Sequence, residues 1–321
     1  MVKTRTKKRR VVMITVIVLA AVIGIVALGF GIDFAYSAVY INKHSEEVDI
    51  STKPINENEI TVMSYNIRLA TGDLYTEHRW RYRAPLVLKV IENSKPDILG
   101  VQEMKKIQEN HFAKYLVGYS SYTPYRSKGS SAEACGIYYN ETRFKLLDKG
   151  VFWLSETPDV QSKGWDAGFP RICSWVKLKD KNGKEIHIFN THLDHLGKTA
   201  RIESLKLINS KISELGAKNV ILLGDLNFIE ARETEKPNDP YKYLTSLFTD
   251  AKYAEGVEVI QAGNTFHKYG EKDPTISYVI DFILFKATDL TPTTYEVINS
   301  VIDGQYPSDH YPVQVVFKYK Q

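Results

Sequence analysis

Val11 to Ile32 form twenty-two consecutive residues without a charged side chain, directly after a tail in which Lys3, Arg5, Lys7, Lys8, Arg9 and Arg10 are basic and none is acidic. At about 1.5 Å rise per residue, a helix of that length matches the ~30 Å hydrocarbon core of a bilayer. The apolar region of a cleaved signal peptide is roughly 7–15 residues, so an uncleaved transmembrane anchor is expected over 11–32. Ala35-Tyr36-Ser37 offers small residues at a cleavage spacing, which keeps a long signal peptide, and hence secretion, as the alternative. In either case the basic tail, residues 1–10, is expected to stay in the cytoplasm and the rest of the chain to be exported, with Asp33 at the outer edge.

Removing those six tail charges turns the formal net charge of +4 into −2 for residues 11–321. The exported part therefore carries no aggregate basic field of the kind that binds nucleic acid without selectivity. Cys135 and Cys173 sit in apolar, strand-like runs and fit either two buried thiols or one disulfide.

Residues 33–58 are polar, lack a sustained period and are expected to be a stalk; one catalytic domain is expected over 59–321. Eight strands are expected there: 60–66, 97–103, 135–140, 172–179, 185–193, 219–227, 279–285 and 312–319. Ile202, Leu205, Ile208, Ile212 and Leu215 repeat at helical spacing in 199–216, with Gly216 as the stop, and a second helix is expected over 84–93. Strands joined both through helices and directly predict a mixed α/β architecture.

Asn66, Glu103, His192, Asp225, Asn227, Asp281, Asp309 and His310 all fall at the ends of these strands, where loops project polar groups from a rigid sheet. Singly, each has a bland reading as a cap, a turn or a structural histidine. As an ordered set, SYNIR (64–68), GVQE (100–103), NTHLDH (190–195), GDLN (224–227), IDFIL (280–284) and SDHYPV (308–313) resemble the endonuclease/exonuclease/phosphatase superfamily, loosely its deadenylase and nocturnin branch. The resemblance spans the whole domain. It implies a four-layer α/β/β/α sandwich, two mixed β-sheets face to face with helices outside, and a metal site at one end.

Hydrolysing a phosphoester requires neutralising the phosphate, activating a water and stabilising the leaving oxygen. Glu103 is a hard oxygen ligand suited to Mg²⁺ or Mn²⁺. The resemblance places Asn66 and Asp309 beside the ion. Asp225 and Asn227, two apart after a strand, suit a base and a water orienter, with an Asx turn as the rival reading. His310 is expected against the scissile phosphate with its tautomer fixed by Asp281. His192 resembles a second histidine that contacts phosphate or assists the leaving group. Arg171 either reaches phosphate or pairs at the surface.

HRWRYR (78–83) resembles a single-strand binding surface but is better read as a solvated helix start. GKT at 197–199 lacks the upstream glycine of a phosphate-binding loop, because His192 stands at that position. HLDH at 192–195 lacks the histidine at 190 of a zinc β-lactamase-type motif. The expected function is metal-dependent phosphoester hydrolysis, with extracytoplasmic nucleic acid or nucleotides as substrate. A lipid phosphodiesterase, an inositol phosphatase and a non-catalytic binding module are the rivals. A monomeric domain is expected, with substrate choice residing in loops 70–83, 120–134, 156–170 and 230–240.

Overall fold

A computed structural model of the chain describes residues 2–74, 76–129, 132–230 and 239–320. The specificity loop expected at 230–240 lies outside the described residues at 231–238, as do Tyr75 of the loop at 70–83 and Ser130 and Ser131 of the loop at 120–134. The chain divides into a helical unit, Met1–Ser45, and a compact unit, Glu46–Gln321.

The helical unit is one helix, Val2–His44, whose apolar side chains from Met13 to Val39 are exposed, Ile25 by 71% and Leu28 by 66%. Met13–His44 is long and apolar enough to cross a membrane. The helix does not stop at Ile32 as expected, because residues 33–44 contain neither glycine nor proline and pair rings one turn apart: Tyr40 stacks on His44 at 4.1 Å.

The stalk is corrected from its other end too. Val48 and Ile50 are 1% and 0% exposed, and Val48–Asp49 pairs in parallel with Leu116–Val117. Two apolar residues at period two are enough to dock this segment, so the compact unit starts at 46 rather than 59.

Two mixed sheets build the compact unit. The larger has seven strands in the order Glu258–Gln261, Leu290–Val297, Val313–Tyr319, Glu59–Asn66, Ile98–Met104, Ala134–Asn140 and Tyr119–Tyr122. The second has six, in the order Thr249–Asp250, Asp281–Lys286, Val220–Asp225, Glu185–His192, Ile172–Asp180 and Phe144–Trp153. Ile60, Val62, Ile98 and Val315 of the first meet Ile188, Ile221, Leu223 and Ile283 of the second in one dry core. Gly100 permits the close approach, since a Cβ there would stand 1.9 Å from Leu223 Cδ1. Polar ties cross this core: Gln102 Nε2 donates to Asn190 Oδ1 (2.8 Å), Asn190 Nδ2 donates to the carbonyls of Val101 and Gly136, and Ser174 Oγ donates to the Cys135 carbonyl (2.7 Å).

Helices Lys198–Glu214 and Pro240–Leu247 cover the outer face of the second sheet through Leu205, Ile208, Ile212 and Leu244. Helices Trp80–Ser94 and Lys106–Tyr115 belong to the other side, where Phe112 meets Tyr138 of the larger sheet edge to face. The expected strands and the two expected helices are all present. Strands Phe144–Trp153 and Leu290–Val297 and helix Lys106–Tyr115 were not anticipated, because charged and polar residues break their periodicity.

HRWRYR is neither a solvated helix start nor an open binding surface. Trp80, Arg81 and Arg83 are buried, and the Arg83 guanidinium donates to the carbonyls of Ile67, Arg68, Leu69, His78 and Pro307. Cys135 and Cys173 are both free, buried thiols.

Candidate active site

Strand direction gathers the polar residues at one end of both sheets. Asn66, Glu103, His192 and Asp225 close parallel or co-directed strands, Asp281 opens an antiparallel one directly opposite Asp225, and Asp309 and His310 precede the strand that pairs with Glu59–Asn66. Arg83 binds the loops after Asn66 and before Asp309 in one guanidinium fork, fixing their separation.

Local backbone distortions aim the side chains. Glu103 has φ +61° inside a bulge where Val101 and Met104 pair with Gly136 and Ala134, so its carboxylate leaves the sheet at the cleft. Arg68 and Asn227 are also left-handed, at φ +55° and +52°. Gly224, at φ +146°, lies so close to Thr191 that a Cβ would stand 1.9 Å from its carbonyl oxygen. Asp225 is thereby presented beside His192.

Asn66 Nδ2 bridges Glu103 Oε1 (3.2 Å) and Asp225 Oδ2 (3.0 Å), while Asn66 Oδ1 accepts the Arg68 N–H. Leu69 N–H donates to Glu103 Oε2 at 2.9 Å. Burial works against the Glu103 charge, but the Arg68 guanidinium and the Leu69 N–H hold the carboxyl below its ordinary value. His310 Nδ1 lies 2.8 Å from Asp281 Oδ2, and Nε2 faces Asp225 Oδ2 at 3.8 Å and Asp309 Oδ1 at 4.0 Å. Although burial opposes it, the surrounding Asp281, Asp309 and Asp225 push His310 up to about 10, and burial together with Asp281 lifts Asp225 to about 7.

His192 Nε2 lies 3.5 Å from the same Asp225 oxygen. Burial, followed by the charges of Arg171 and Arg126, pushes His192 well below the usual imidazole value, so it is neutral. The strand ends at Asp225, and Asn227 is related to it not by the sheet pleat but by an Asx turn, with Asn227 N–H on Asp225 Oδ1 and Asn227 Nδ2 on the Leu193 carbonyl.

On one side of the cleft the sequence reading named Arg171 but missed Arg126 and Glu133. Glu103 and His192 share a pocket with Arg171, Arg126, Glu133 and Cys135. Arg171 is 4% exposed, its Nε 3.4 Å from Asp194 Oδ2 and its Nη2 3.2 Å from His195 Nδ1, and its Nη1 has no partner among the described residues. Arg126 pairs with Glu133 at 2.7 Å. A polar pair flanking the small and polar residues SKGSS (127–131) was the available signal, but nothing in the sequence aims it at the cleft.

The donors present suit a hard divalent cation. Glu103, Asp225, Asp281 and Asp309 crowd negative charge into one place, and the ligand atoms of Asp225, Asp281 and His310 lie within 4.8 Å of one another. Asp281 Oδ1 is a buried carboxylate oxygen with no hydrogen-bond partner among the described residues. Thiolates are not part of this carboxylate cluster, and oxygen-rich donor sets favour magnesium or manganese over zinc.

The profile of the Endonuclease/Exonuclease/phosphatase family matches residues 63–310, from the strand before Asn66 to His310. The chain belongs to that family. As a family member it is a phosphoester hydrolase of a group that uses divalent metals, and its two mixed sheets are the family's fold. It is 29% identical over 257 residues to uncharacterized protein L388 of Acanthamoeba polyphaga mimivirus, covering 76% of this chain and 94% of that one. The structure of a mannosyl-6-phosphatase of Bacteroides thetaiotaomicron matches at 34% identity and a TM-score of 0.72, covering 81% of this chain and all (100%) of that one. The likeness to deadenylase-type members is present as well, in Carbon catabolite repressor protein 4 homolog 3 of Arabidopsis thaliana, 24% identical over 222 residues, 62% of this chain and 46% of that one.

Proposed function

We propose that this family member is a magnesium- or manganese-dependent phosphomonoesterase for a small exported substrate, held at the membrane by residues 11–32 with its basic tail inside and the catalytic unit outside. The observation that carries this reading is the charge pairing around the cleft. Arg68 is matched by Asp73 and Asp309, Arg126 by Glu133 and Arg171 by Asp194. These guanidiniums add no surplus positive charge, whereas a nucleic-acid track needs one. The unpartnered Arg171 Nη1 is instead a single donor suited to one terminal phosphate. The phosphatase named among the similar structures supports the same reading.

When bound among Glu103, Asp309 and Asn66, the divalent ion supplies charge neutralisation to the phosphate. Asp225 holds and deprotonates the attacking water, and Asn227 fixes the turn that presents it. His310, kept charged by Asp281, lies against the phosphate as an electrostatic clamp. Neutral His192 meets the leaving oxygen from the other side of Asp225.

A second reading, hydrolysis of a nucleotide diester, has its own observation. The His78 and Tyr269 rings stack at 3.8 Å, and Tyr269 Oη reaches Asp73, the partner of Arg68, so an aromatic shelf stands one ion pair from Asp309. Full-length protein in detergent, assayed on p-nitrophenyl phosphate and bis-p-nitrophenyl phosphate with Mg²⁺, Mn²⁺ or chelator, separates the two. Faster metal-dependent cleavage of the monoester is expected; preference for the diester would select the second reading.

A further inference from the structure

The Asp281 carboxylate has a single hydrogen bond among the described residues, from His310 Nδ1 to Oδ2 at 2.8 Å, and none at Oδ1. Its aim therefore comes from the backbone that carries it. Asp281 opens its strand opposite Asp225, and on the other side the partner strand Thr249–Asp250 reaches only Leu284 and Phe285. At the Asp281 end a side chain takes over. Thr265, 0% exposed, accepts the N–H groups of Ile280 (3.0 Å) and Asp281 (3.1 Å) on one hydroxyl, which itself donates to the Tyr278 carbonyl at 3.4 Å.

The same residue grips the other partner of the pair. The Thr265 carbonyl accepts the Tyr311 N–H at 2.7 Å, directly after His310. Phe266 forms a backbone bridge with His310 and sets its ring 4.9 Å from the imidazole, and the N–H groups of His267 and Lys268 both donate to the Asp309 carbonyl. A hydroxyl that served only its own loop would bond within it; this one meets donors 15 and 16 residues away, one of them the peptide of Asp281 itself. Resting on the reading of His310 as a phosphate clamp charged by Asp281, we propose that Thr265 is the positioning residue of that pair. Its side chain holds the Asp281 peptide and its main chain holds the peptide after His310, so that carboxylate and imidazole meet at hydrogen-bond distance. Misplacement of a catalytic group by about 1 Å costs up to about 10²-fold in rate.

The test is a double-mutant cycle on full-length protein in detergent with Mn²⁺, read on the faster-cleaved of p-nitrophenyl phosphate and bis-p-nitrophenyl phosphate. Thr265→Val keeps the shape and removes the acceptor. It is expected to lower kcat about tenfold while KM and the calorimetric Mn²⁺ affinity change less than about twofold, and Thr265→Ser, which keeps the hydroxyl, is expected to stay within about threefold of wild type. Added to Asp281→Asn, in which the pair is already broken, Thr265→Val is expected to lower kcat by less than about twofold more. Wild-type kcat in Thr265→Val, or the same loss on the Asp281→Asn background as on wild type, overturns the positioning role and leaves the clamp standing. Unchanged kcat in Asp281→Asn alone removes the clamp, and the role of Thr265 with it. Should Thr265→Val fail to fold, Thr265→Ala replaces it in the cycle with the same expected and overturning results.

Discussion

The two sides of the cleft are built from opposite materials. One side is the strand-end set of Asp225, Asp281, Asp309 and His310, dense in carboxylates and almost fully buried, with His310 tied to Asp281 at 2.8 Å. The other is the loop-borne set of Arg171, Arg126 and Glu133, in which each guanidinium already has a carboxylate partner. The first carries more negative charge than its own residues neutralise and so calls for a cation. The second is balanced in charge. Glu103, which lines the pocket with Arg126 and Arg171 and accepts from Asn66, joins the two sides.

Glu103→Ala is expected to break that joint with the largest effect, lowering kcat/KM by about 10³-fold or more if Glu103 holds the ion as proposed. Calorimetric titration with Mn²⁺ should show the binding lost as well; retained metal affinity would move the ion to the Asp225, Asp281 and His310 cluster. Replacing Arg83 by methionine strikes the frame beneath both sides. It leaves five carbonyl oxygens without their donor and is expected to cost about 3 kcal/mol in urea unfolding, against no change if water replaces the guanidinium.

Asp281→Asn tests the carboxylate side alone. Losing the partner that orients and charges His310 is expected to lower kcat about 10–100-fold with KM little changed. Arg171→Lys tests the loop side alone and is expected to raise KM about tenfold with a smaller change in kcat, since a lysine cannot hold Asp194 and phosphate together. Equal kcat losses in these two variants would dissolve the distinction between the sides. The smallest effect belongs to reductant: with Cys135 and Cys173 both free, dithiothreitol is expected to move Tm by less than about 1 °C.

Legibility in the sequence followed the same division. Asn66, Glu103, His192, Asp225, Asp281, Asp309 and His310 were readable because each stands at or just before one end of a strand with a strong apolar pattern, and the sheet's direction brings such ends together. Arg126 and Glu133 were not, because a hairpin base is recognisable only once Tyr119–Tyr122 is seen paired with Ala134–Asn140. The Arg83 frame was read as solvated helix surface, because six polar and aromatic residues in a row give no sign of the carbonyls waiting for the guanidinium.

The sequence by itself determined the uncharged run at 11–32, the mixed strand and helix order, the two apolar faces of each central strand and the ordered motifs that mark the family. These depend on near neighbours in the chain, through side-chain period and local charge. Only the tertiary structure decided that the compact unit reaches back to Glu46, that Asp225 and Asn227 form an Asx turn, that both cysteines stay free and that three guanidiniums are already paired around the cleft. Those features depend on which carboxylate or carbonyl arrives from a distant segment, and Coulomb and hydrogen-bond partners separated by many residues leave no period in the sequence to read.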